Sequence, residues 1–188
     1  MEAQRSIEGI IATVSGPEPG SNVVVLVAVH GNEPCGVAAV ERIVPTLTLA
    51  RGTATFVIGN PRALAAGKRF IDANLNRMFR EDAELDEAKK ASYEYARSRE
   101  LAPLLLGADA LLDIHSSESP DADPFVICGI RSRSIAERMP FPLISWNWDA
   151  ECVEPGGTDD FMERAGNIGV CIECGYNDSQ SAADKAEE

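Results

Sequence analysis

The chain contains two histidines, and each stands at the end of an apolar run: His30 after residues 23–29 and His115 after residues 110–114. Imidazoles at such positions serve as metal ligands, as proton carriers or as hydrogen-bonded parts of the core. Glu33 follows three residues after His30, across a turn that can bring its carboxylate back to the same point. Two imidazoles, one carboxylate and an open fourth position make the donor set of hydrolytic zinc, so His30, Glu33 and His115 are the candidate metal ligands. Asp113, two residues before His115, projects from the same strand face; it can orient the ring, or it can be an ordinary strand-end carboxylate.

Glu173 interrupts a further apolar run, GVCIECG at 169–175. A carboxylate there is costly unless it is paired or employed. At the rim of a hydrolytic site it can take a proton from water and return it to a leaving amine; a structural ion pair is the competing reading. Cys171 and Cys174 have CxxC spacing, but residues three apart on a strand point to opposite faces and should not converge. Arg62, Asn76 and Arg77 fall in a stretch, 62–80, with no clean period. A guanidinium fork and a neutral amide suit carboxylates, which makes these three candidates for holding an anionic substrate and its oxyanion, against the alternative of solvated surface residues.

These side chains must be positioned by an alternation of strands and helices. Strands are predicted at 6–14, 23–29, 53–58, 110–114, 125–130, 143–148 and 170–174. Helices are predicted after Asn32, which caps one with Pro34 in its first turn, over 81–106 with Gly107 as its cap, at 132–139, and at 159–165 behind Thr158. Residues 62–80 read as a long ordered loop, which in a compact domain is usually functional. Alternation of this kind argues for parallel strands and crossover helices, and ligands of open α/β sheets gather at the carboxyl ends of the strands. Both imidazoles then share one rim.

Composition narrows the functions. With 45% hydrophobic and 25% charged residues in 188, the chain is expected to fold around one core. A net charge of −13 disfavours nucleic acid and anionic membrane as partners. No apolar run approaches a membrane span, and the N-terminus lacks the basic flank and apolar stretch of a signal peptide, so a cytoplasmic location is expected. Five cysteines, an odd number, suit free thiols in a reducing compartment. Composition does not choose between a monomer and a homo-oligomer.

Taken in order, His30, Gly31, Asn32 and Glu33, then Asn60, Pro61 and Arg62, then Asn74, Leu75, Asn76 and Arg77, then Asp113, Ile114, His115 and Ser116, and Glu173 before Gly175, resemble the succinylglutamate desuccinylase and aspartoacylase family over residues 23–175. That family is related to the zinc carboxypeptidases. The resemblance implies a three-layer, carboxypeptidase-like α/β domain with a central mixed, largely parallel sheet flanked by helices. It implies one Zn2+ per chain on His30, Glu33 and His115, with Glu173 activating the attacking water and Arg62 polarising the amide carbonyl. Asn76 and Arg77 would hold a substrate carboxylate. The implied reaction removes a succinyl, acetyl or similar acyl group from a small N-acyl amino acid or related amine. Asn74 departs from the aspartate usual in the family. Residues 1–178 are expected to form the catalytic domain and 179–188 a frayed polar tail, the C-terminal β domain that caps the pocket in the family being absent. A zinc carboxypeptidase acting on peptides and a metal-binding domain without catalysis are the competing functions.

Overall fold

The structure is a computed structural model that describes residues 7–146 and 155–188. Among these, runs of β-branched and other apolar residues build one sheet of seven strands: β1 (Ile10–Ser15), β2 (Glu18–Val27), β3 (Arg51–Ile58), β4 (Ala110–Ser117), β5 (Phe125–Cys128), β6 (Ile144–Trp146) and β7 (Ile168–Tyr176). Their order across the sheet is β1-β3-β2-β4-β7-β5-β6. The central strands β3, β2, β4 and β7 are parallel. β1 runs antiparallel to β3, and β5, which carries β6 parallel beside it, runs antiparallel to β7. The sheet is therefore mixed with a parallel centre, as expected.

Helices cover both faces: α1 (Cys35–Ile43), α2 (Pro61–Ala66), α3 (Glu87–Lys90), α4 (Tyr93–Leu106), α5 (Arg133–Ala136), α6 (Thr158–Arg164) and α7 (Gln180–Glu187). Successive β2 residues point to opposite faces and bury in different layers. Val25 and Val27 belong to a core with Cys35 and Val40 of α1, whereas Val24 and Leu26 join Leu101 and Leu105 of α4. Burial on both faces is why this strand reads as continuously apolar rather than alternating.

Several predicted elements change on folding. Residues 62–80 contain α2, begun by the Asn60 side chain accepting from Ala63 N, and a 3-10 turn at Leu75–Arg77. The helix predicted over 81–106 divides into a 3-10 turn at Asp82–Glu84, α3 and α4, because Asp86 and Ser92 each accept a backbone N–H and start a new helix. Asn32 does not cap α1: Pro34 holds the cap position, and the Asn32 amide donates to Glu118 Oε1 at 2.7 Å. Thr158 is the first residue of α6 rather than its cap, and Gly157 precedes it. Residues 147 and 148 of the strand predicted at 143–148 lie outside the described residues.

The predicted frayed tail is also corrected. Residues 180–187 form α7, with Ser179 accepting from Ser181 N at its start. Ala182 and Ala183 are buried in the α1 core, and Arg42 of α1 reaches Asp184 and Glu187 at 2.9 and 3.1 Å. Two small side chains allow close helix packing, which composition alone reads as a weakly apolar, charged tail. Ala182→Asp would put an unpaired carboxylate where the side chain is 0% exposed, and should cost about 2–4 kcal/mol. A lowered urea midpoint by circular dichroism is the check, and an unchanged midpoint would refute the packing role of α7.

Candidate metal centre

Parallel pairing sets the rim. Val27 of β2 lies opposite Ile114 of β4, and His115 of β4 lies opposite Glu173 of β7. Beyond β2 the chain bends at Ala28, whose φ of 52° is unusual for a residue with a Cβ and stores modest strain beside the site. Val27 O and Ala28 O accept Gly59 N and Asn60 N, tying this bend to the end of β3. Gly31 then passes so close to α2 that a Cβ on it would lie 2.0 Å from Ala63 C, which explains the glycine after His30.

His30, Glu33 and His115 are brought together, all buried, with one donor atom from each lying within 4.8 Å of the others. His115 Nδ1 is 2.8 Å from Glu33 Oε2. His30 Nδ1 is 2.9 Å from Glu33 Oε1 but has no hydrogen-bond partner, its direction being wrong for one. His30 Nε2 is hydrogen-bonded to Asn74 Oδ1 at 2.9 Å, whereas His115 Nε2 lies 3.0 Å from Asp113 Oδ2, an electrostatic contact without the direction of a hydrogen bond. Asn74 Oδ1 also accepts the Asn76 N–H at 2.9 Å, which fixes it as the acceptor end of the amide. His30 Nε2 therefore faces an acceptor and carries its proton there, while His115 Nδ1 donates to the Glu33 carboxylate. Both Nδ1 atoms converge on the Glu33 carboxylate, that of His115 as a hydrogen-bond donor and that of His30 without the direction of a hydrogen bond.

Three electron-rich groups in a buried space repel one another unless a proton or a cation lies between them. Burial opposes ionisation of Glu33, but His115, through charge and its hydrogen bond, together with His30 beside it outweighs burial and holds the pKa well below the carboxylate range. Burial likewise opposes charge on His115, and the neighbouring Asp113 and Glu33 carboxylates overcome it, raising that pKa well above 6.5. Two imidazoles and a carboxylate this close together fit a divalent ion such as zinc, and Asn74 Oδ1 holds the far side of the His30 ring as an acceptor behind a ligating histidine would. Asp113 is in turn fixed by a hydrogen bond from Thr158 Oγ1.

A cleft of about 170 Å³ opens beside the group and is lined by His30, His115, Glu173, Arg69, Asn76 and Arg77 among others. Glu173 Oε2 is buried there without a hydrogen-bond partner. Burial foremost, with Glu33 and Asp113 adding to it against His115, pushes its pKa up to about 7. Asn76 Oδ1 accepts Thr158 N at 3.0 Å, and Arg77 Nη1 donates to Asn76 O at 2.6 Å, so the predicted carboxylate binders sit on an ordered turn.

Arg62 is the exception. It lies on exposed α2 with its guanidinium 4.3 Å above the Tyr93 ring, and the cleft lining does not include it. The basic residue that reaches the centre is Arg69, whose Nη1 donates to Glu33 Oε1 at 2.8 Å. Both follow the same strand in a stretch without periodicity, and the C-cap Gly67, with φ of 59°, turns the chain back only after Arg62 has been committed to α2. Four cysteines among the described residues, including Cys171 and Cys174, are free and buried; Cys152 lies outside them.

Comparison with known proteins identifies the fold and the family. The sequence is 32% identical over 125 residues to a probable aspartoacylase of Prochlorococcus marinus (strain MIT 9313), covering 62% of this chain and 41% of that protein. It is 44% identical over 63 residues to the succinylglutamate desuccinylase of Shewanella piezotolerans, covering 31% of this chain and 18% of that one. The chain thus matches less than half the length of these relatives. Among solved structures, a succinylglutamate desuccinylase/aspartoacylase from Rhodobacter sphaeroides superposes with a TM-score of 0.75 at 18% identity, over 93% of this chain and 54% of that one. The product-bound ectoine utilization protein EutE (DoeB) from Ruegeria pomeroyi gives 0.74 at 23% identity, over 92% and 56%. The profile of the succinylglutamate desuccinylase/aspartoacylase catalytic domain matches residues 19–186, and the chain belongs to that family.

Proposed function

We propose that this chain carries the catalytic centre of a zinc-dependent amidohydrolase that removes an acyl group from a small N-acyl amino acid or related amine. The observation that carries the reading is the buried Glu33 carboxylate on which the Nδ1 atoms of two buried imidazoles converge, with Asn74 holding His30 Nε2 and Asp113 lying 3.0 Å from His115 Nε2. Family membership supports the deacylase class. His30, Glu33 and His115 would hold one zinc. A zinc ion there would supply Lewis acidity, polarising a carbonyl and making water acidic near neutral pH.

The remaining work falls to the chain's own side chains. Glu173, with an unpartnered buried oxygen and a pKa near that of a neutral-pH base, accepts the proton of the attacking water and passes it to the leaving amine. Arg69 replaces Arg62 as the residue that stabilises negative charge developing on the carbonyl oxygen, since it alone of the two lines the cleft. Asn76 and Arg77 orient the substrate through its carboxylate.

Metal content tests the centre first. Protein purified without chelator should carry about one zinc per chain by elemental analysis, and His30→Ala or His115→Ala should lose it. On N-acyl amino acids, Glu173→Gln should retain zinc and lose about 100-fold or more in kcat; full activity in that variant would remove the base from Glu173. Arg69→Ala should lower kcat/KM by about 100-fold and Arg62→Ala by less than about twofold, and the reverse ranking would return the oxyanion role to Arg62. Turnover of peptides with free C-termini, in place of N-acyl amino acids, would favour a carboxypeptidase.

A further inference from the structure

Glu94 is fully buried in the first turn of α4, some distance along the chain from every residue of the proposed centre. Its Oε1 accepts Asn60 Nδ2 at 3.1 Å and Ile71 N at 2.7 Å, and its Oε2 accepts Asp72 N and Ala73 N, both at 3.1 Å. Three consecutive backbone amides thus wrap a carboxylate supplied by another element, as a backbone nest wraps an anion. Asp72 returns the contact, its Oδ2 accepting Tyr93 N at 2.9 Å. All four donors to Glu94 are neutral amides, so its charge is held by oriented dipoles rather than by a counter-ion.

The position of this nest gives it meaning. Arg69, two residues before Ile71, donates to Glu33, and Asn74, the residue after Ala73, accepts from His30. The segment clamped on Glu94 is therefore bracketed by the two side chains of this loop that touch the candidate metal ligands. The fourth donor, Asn60, caps α2, against whose backbone Gly31 is packed. We infer that Glu94 is a positioning residue of the centre: by fastening residues 71–73 it presents Asn74 to His30 and Arg69 to Glu33. The inference rests on the metal-centre reading given above.

Glu94→Gln is the informative substitution. Each carboxylate oxygen accepts from two N–H groups, so in either orientation the new amide sets an NH2 against two donors, and no flip restores the nest. Hydrogen exchange at the amides of residues 71–73 and zinc affinity by competition titration are measured on the full chain, for wild type, Glu94→Gln and Glu94→Asp. Exchange at 71–73 should accelerate at least about tenfold in Glu94→Gln, and the zinc Kd should rise by about 10–100-fold, as for loss of contacts behind metal ligands. Glu94→Asp, which keeps the charge, should lie between, and it is read in place of Glu94→Gln if that variant does not fold. Leu101→Ala weakens α4 in the core without touching the nest and should leave the Kd within about twofold. Combining Glu94→Gln with Asn74→Ala should cost less than the product of the two single effects.

Unchanged exchange at residues 71–73 would overturn the inference, as would faster exchange with a wild-type Kd, or an equal loss of affinity in Leu101→Ala. A wild-type chain that takes up no zinc would instead remove the metal-centre reading. The exchange data would then decide by themselves whether Glu94 holds the loop, faster exchange supporting that anchoring and unchanged exchange overturning it.

Discussion

A carboxylate can be withdrawn from water only where donors or positive charge surround it, and the architecture around the cleft is organised by two carboxylates that meet this condition in different ways. Glu33 is met by the imidazoles of His30 and His115 and by the Arg69 guanidinium. Glu94 is met by four amide N–H groups, three of them backbone. Neither arrangement exists in the unfolded chain, and each requires segments distant in sequence. The charge of Glu33 collects the candidate ligands, and the charge of Glu94 collects the loop behind them.

The sheet supplies rigidity where the chemistry needs it. His115 and Glu173 are neighbours across β4 and β7, and His30 follows β2 directly beside β4, so their separations are inherited from strand spacing. The contacts that orient them come from less regular structure. Asn74 lies on an irregular segment, and Asp113, though on β4, takes its own hydrogen bond from Thr158 at the start of α6. Thr158 N also donates to Asn76 Oδ1, so α6, the loop and β4 meet at one point. A fold of this kind keeps ligand positions nearly constant while loops vary, which is the usual division of labour in α/β enzymes.

Asn74 illustrates how little charge the orienting role demands. The imidazole needs an acceptor opposite Nε2, and an amide oxygen meets that need as a carboxylate would, with the Asn76 N–H deciding which end of the amide faces the ring. The loss is electrostatic: His30 is backed by a dipole, His115 by the full charge of Asp113.

The parallel core was legible because strands buried on both faces carry unbroken apolar runs, and the histidines marked themselves by standing at the ends of two such runs. Glu173 was legible for a related reason, being an acid inside an apolar run, and Glu33 by its spacing of three residues after His30. What escaped the sequence is what depends on contacts between distant segments. Nothing local distinguishes Arg62 from Arg69; which one enters the cleft depends on α2 ending at Gly67 and on Glu33 awaiting a donor. Glu94 reads as an ordinary acid in the middle of the helix predicted over 81–106 until the fold lays residues 71–73 over it. The tail became α7 only because α1 offers a surface that two alanines fit. Periodicity records the faces a segment buries, whereas the partner that each polar group finds is set by tertiary packing, since a hydrogen bond between residues far apart leaves no spacing in the chain.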